Sequence, residues 1–197
     1  MILKKECYND ERAIKKGNSL MLKKVIKEAF PTVLAFTMSG MYSIVDGIFV
    51  GKAAGDTGLA AINIAWPIPA LITALGIGIG TGGSVLYSHY RGRGEQKVCE
   101  NLFELTMTLL IGTGILATIL LSLVQKPFLE ILGAAGSVQT EAIKYTAIII
   151  AGSILQVVGT GIMPLLRNMN QSLGAMLSMA AGFAVNILVN YYLMFRL

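Results

Sequence analysis

Five stretches of this chain are nearly or wholly free of Asp, Glu, Lys and Arg: residues 29–51, 57–88, 105–125, 145–166 and 168–195. A helix needs about 20 residues, at 1.5 Å each, to cross about 30 Å of hydrocarbon, and each stretch exceeds that. Charged residues make up 14% of the chain, against about 25% in soluble domains. The missing charge is therefore concentrated where spans would lie. The pattern predicts an all-α, polytopic membrane helix bundle of about five transmembrane helices, and it excludes a soluble globular domain.

The net charge of +5 is informative only when divided by loop. With the N-terminus inside, the inner side holds Lys4, Lys5, Arg12, Lys15, Lys16, Lys23, Lys24, Lys27, Arg91, Arg93, Lys97 and Arg167. The outer side holds only Lys52, Lys126, Lys144 and Arg196. Basic residues favour the cytoplasmic side, so the expectation is a multi-pass protein of the plasma membrane with a cytoplasmic N-terminus. The basic balance reports topology and not nucleic-acid binding. Residues 1–27 read as a cytoplasmic tail with an interfacial helix, and residues 28–197 as a transmembrane lobe. Cys7 and Cys99 both fall inside, where a disulfide is not expected. No Cys/His metal spacing exists, and no cofactor is indicated.

Within residues 29–51 the single charge is Asp46. A central carboxylate costs about 2.5–3.5 kcal/mol on insertion scales, so it faces a cavity or a bundle interior. It borders a stripe of small residues, Ser39, Ser43, Gly47 and Gly51, spaced to let a second helix approach closely. The last stretch places Ala175, Met179, Gly182, Asn186 and Asn190 on one helix face. One carboxylate and two amide oxygens, from Asp46, Asn186 and Asn190, suit a hard cation such as Na⁺. The same carboxylate suits a proton, because burial raises its affinity for one. The alternative is that the two amides are interhelical hydrogen-bond formers. Tyr42, Gln156 and Met179 are candidate cavity-lining residues, with Gln156 reading first as a helix–helix hydrogen bond.

Two further patterns are decided by context. Gly78, Gly80 and Gly83 spell GxGxxG, but they sit in an uncharged run and not between a strand and a helix, so they predict close helix packing. Pro67 and Pro69 predict a kink near Trp66. Lys126-Pro127 is expected to end the third span, which has few polar groups and is expected to face lipid. Gly51–Gly58 reads as a short outer loop, and Gly133 and Gly136 as breaks. An intramembrane enzyme would need a Ser/His pair, a metal motif or two close carboxylates, and the spans offer none.

The run Tyr42-Ser-Ile-Val-Asp-Gly-Ile-Phe-Val-Gly51, followed by Gly58-Leu-Ala-Ala-Ile62, resembles the first-helix signature of the MATE (multidrug and toxic compound extrusion) family. Arg167, Gly174 and then Asn186-Ile-Leu-Val-Asn190 resemble its fourth-to-fifth helix signature. The resemblance runs from about Ala29 to the last residue. It implies two pseudo-symmetric lobes of six helices, of which this chain resembles five helices of the N-terminal lobe. A C-terminal lobe of the same protein would then be its partner. It also implies efflux of small organic cations and drugs by Na⁺- or H⁺-coupled antiport, with alternating access and a cation site at Asp46, Asn186 and Asn190. Many relatives carry Asp at the place of Asn190. Here Asp46 is the one acid at membrane depth, which leaves Na⁺ and H⁺ both open. Alternative functions are a flippase for lipid-linked precursors and a membrane assembly fragment that does not transport.

Overall fold

In the computed structural model, residues 2–169 and 171–196 are described. Side chains 2–22, 24, 28, 39, 42, 43, 46, 49, 50, 53, 54, 190 and 193–196 lie outside the description. The described residues form six helices: α1 (Ile2–Ala65), α2 (Pro67–Gly92), α3 (Gln96–Ile131), α4 (Gly136–Ala151), α5 (Ser153–Asn168) and α6 (Ser172–Arg196). Among them, α2, α3 and residues 172–189 of α6 are each long and apolar enough to cross a membrane. Helices α4 and α5 qualify together as one broken span, bent by 59°. The first expected span, residues 29–51, lies inside α1.

Glycine and proline set the breaks, and three of them differ from expectation. The expected loop at 51–58 shrinks to one non-helical residue, Gly55 (φ 59°, ψ −158°), a backbone region open essentially to glycine alone. The kink near Trp66 is present, with Pro67 and Pro69 opening α2 where their missing N–H groups cost nothing. Pro127 does not stop α3, which continues to Ile131. A proline removes one hydrogen bond, and neighbouring helices and flanking turns can carry the helix through it. The fourth span is divided at Gly152, a break that hydropathy could not show. Gly133 and Gly136 do separate α3 from α4, with φ of 92° and 58°.

Helices α2 and α5 form the most extensive pair, and α3 packs on both. The buried positions on α2 (Ile68, Ile72, Gly76, Gly80, Ser84) and α5 (Ser153, Val157, Gly161, Leu165) recur every four residues. That spacing gives each helix one narrow stripe for its neighbours and leaves the rest to lipid. On α2 the packing is backbone to backbone. A Cβ added to Gly80 would collide with the Gly161 backbone, and one added to Gly76 would meet Val157 O at 2.6 Å. One at Gly83 would strike the Thr106 side chain of α3, and one at Gly114 would lie 2.9 Å from Ile154 Cα. The GxGxxG letters are thus a packing seam at Gly80 and Gly83, while Gly78 faces open space.

Helix α3 is not simply lipid-facing. Thr106, Leu110, Gly114, Ala117 and Leu121 are buried, and its opposite face exposes Leu109, Ile115, Leu116, Ile119 and Leu123. Side-chain hydrogen bonds pin it to the broken span. Thr118 Oγ1 and Ser153 Oγ lie 2.6 Å apart, and Gln125 Nε2 donates to Ile143 O at 2.7 Å and to Thr146 Oγ1. Helix α1 packs on α6 and α4, outside the α2–α3–α5 group.

Candidate functional site

Asp46 lies on α1, and Asn186 and Asn190 lie on α6. These two helices pack against each other, so the elements that carry the expected cation ligands are neighbours. Asn186 and Asn190 are one helical turn apart and share a face. The Asn186 side chain is half-buried and partnered. The side chains of Tyr42, Asp46 and Asn190 lie outside the described residues.

The glycines of the small-residue stripe beside Asp46 meet no other helix among the described residues, while Ser39 and Ser43 lie outside the description. A Cβ at Gly40 or Gly47 would meet nothing within 4 Å, and one at Gly51 would meet only the Leu59 side chain, at 3.4 Å. Gly182 on α6 is equally open. Gly76, Gly80 and Gly161 of α2 and α5 are closed off by neighbours, whereas Gly40, Gly47 and Gly182 of α1 and α6 border space.

Met179 is half-buried where α1, α5 and α6 meet. Arg167, at the end of α5, points Nη2 at Met179 Sδ across 3.9 Å. Its guanidinium also lies over the Phe36 ring of α1, 4.8 Å from the centroid. A planar guanidinium stacks well on an aromatic face and is weakly hydrated, so it can sit half-buried there. Arg167 thereby touches both helices that carry the expected ligands, Phe36 on α1 and Met179 on α6. Charge counting assigned it only a loop role. Its aromatic partner lies in a distant part of the chain, where no local pattern could reveal it.

Gln156 is oriented toward α2. Its Nε2 donates to Thr73 Oγ1 at 2.9 Å and to Pro69 O at 3.3 Å. At the other end of α5, Asn168 Nδ2 donates to Ser84 O at 3.1 Å. These two amides stitch α5 to α2, near the start of α5 and at its exposed end, as interhelical hydrogen bonds do.

The MatE family model matches residues 31–192. Among solved structures, a MATE protein in complex with MaD3S is similar, with a TM-score of 0.81 and 25% identity over 85% of this chain and 38% of that one. A MOP superfamily transporter from Pyrococcus furiosus, described as having a binding pocket of reverse polarity that suggests a different function, gives a TM-score of 0.76 at 24% identity. The match covers 85% of this chain and 37% of that one. A multidrug resistance MATE family transporter in an outward-facing conformation also gives 0.76 at 24%, with the same coverages. The chain spans well under half the length of these structures. No curated protein sequence matches it.

Proposed function

The chain belongs to the MatE family, and we propose that it forms part of a secondary active transporter exporting small organic cations and drugs in exchange for Na⁺ or H⁺. The observation that carries this reading is the packing of α1 on α6, two helices that overlap the matched residues 31–192 and bear Asp46, Asn186 and Asn190. The donor set fits the task. A carboxylate and two amide carbonyls are hard oxygen ligands for Na⁺, and the carboxylate alone serves a proton. Occupancy of either kind cancels the carboxylate charge within the apolar span. An ion that favours one arrangement of the helices over another can then drive alternating access. The whole activity needs a C-terminal lobe as partner, since the chain corresponds to 37–38% of the compared structures. The basic asymmetry supports a cytoplasmic N-terminus, and export from the cell calls for a place in the plasma membrane.

The test is efflux from proteoliposomes under an imposed Na⁺ or H⁺ gradient, using the complete transporter at matched expression. Asp46→Asn keeps the shape and removes the titrating charge, so coupled efflux is expected to fall to background while folding persists. Asn186→Ala and Asn190→Ala are expected to weaken ion affinity by about 3- to 10-fold, since water can replace an amide ligand. Wild-type efflux from Asp46→Asn under both gradients would remove Asp46 from the coupling site.

A further inference from the structure

A second concave site lies away from α1 and α6, at the end of the bundle where α2, α3 and α5 meet. It is a cleft of about 260 Å³ with an apolar floor and an acidic rim. Tyr87 and Cys99 are buried beneath it, with Cys99 Sγ 3.7 Å from Tyr87 O, and Met169 packs against them. Phe103 forms a wall. Glu100 and Glu104 are exposed and line the cleft from one face of α3, and Gln96 Nε2 holds Glu100 Oε1 at 3.4 Å. No basic side chain lines it. Two carboxylates over an aromatic and thioether bed favour a cation with apolar substituents.

The level of the cleft in the membrane identifies the source of that cation. Helix α3 has 36 residues, about 54 Å at 1.5 Å per residue, while the hydrocarbon core is about 30 Å thick. Its uncharged window begins at Leu105, directly after Glu104. Residues 96–104 therefore project past the hydrocarbon edge into the headgroup layer. Exposed Arg91, Arg93 and Lys97 stand at the same end and supply the sign that a headgroup phosphate requires. We propose that this cleft binds the ammonium group of a phospholipid headgroup at the membrane surface, held by Glu100, Glu104 and the Phe103 and Tyr87 rings. The site stands on its own residues and is independent of the coupling site on α1 and α6.

The test uses the 197-residue chain purified in detergent micelles, titrated with dihexanoyl-phosphatidylethanolamine or dihexanoyl-phosphatidylglycerol, with bound lipid counted by native mass spectrometry. The expected result is about a tenfold preference for the ethanolamine lipid. Glu100→Gln with Glu104→Gln should erase that preference, and Phe103→Leu should reduce it, with helicity by circular dichroism unchanged. Asp46→Asn should leave it intact. Equal retention of the glycerol lipid would overturn the proposal, as would persistence of the preference in the double variant. Displacement of the lipid by an equal concentration of tetramethylammonium would also overturn it, because the cation would then come from water.

Discussion

An amide inside a membrane helix can serve a passing solute or the neighbouring helix, and Gln156 has committed both its donor hydrogens to α2. Gln156→Leu should therefore act on stability. We expect a loss of about 1 kcal/mol, read as a lower unfolding midpoint in mild detergent, with secondary structure retained. A variant that unfolds like the parent but loses efflux in the complete transporter would return Gln156 to the substrate path. Asp46 is the one charge in residues 29–51, and Gly47, next to it in the chain, borders space. The carboxylate was conspicuous in the sequence because hydrocarbon makes charge rare. The geometric partners were not conspicuous: Arg167 meets Phe36 and Met179 through folding alone, and an arginine near a helix end has the same local pattern whether it stacks on a ring or dangles in water.

At the scale of the helix, the glycines separate into two populations that the sequence does not distinguish. Gly78 and Gly80 are two residues apart in one motif, yet one faces open space and the other touches the Gly161 backbone. Gly80→Val is expected to cost about 3 kcal/mol or to prevent α2 from seating on α5. Gly78→Ala should stay within about 0.5 kcal/mol of the parent. Thermal or denaturant unfolding of the two variants side by side checks both, and equal effects would mean that the seam is misplaced. The existence and apolar character of the helices were legible because charge depletion is a composition signal. The bounds were less so. Pro127 looks like a stop, but the helix carries through it, and Gly152 looks like one more small residue in an apolar run although the chain turns there by 59°. Which glycine faces a neighbour depends on helix rotation, which an all-apolar surface does not encode.

At the scale of the whole molecule, the α2–α3 and α3–α4 connections should lie on opposite sides of the membrane, since α3 alone is long enough to cross it. Single cysteines at Ser88 and Ser137, in a background with Cys7 and Cys99 replaced, test the orientation. Both positions are exposed, and Ser137 avoids the positive φ of Gly136. An impermeant thiol reagent applied to intact cells is expected to label position 137 and spare position 88, and the reverse pattern would invert the topology. The backbone contact between Gly80 and Gly161 has a mechanical consequence. Helices that meet through side chains can yield as rotamers turn, whereas main chain resting on main chain has no such spring. The α2–α5 pair is therefore a stiff beam. Bending is therefore expected at the glycine breaks Gly55 and Gly152, where the helices are already interrupted, before it is expected in the α2–α5 pair.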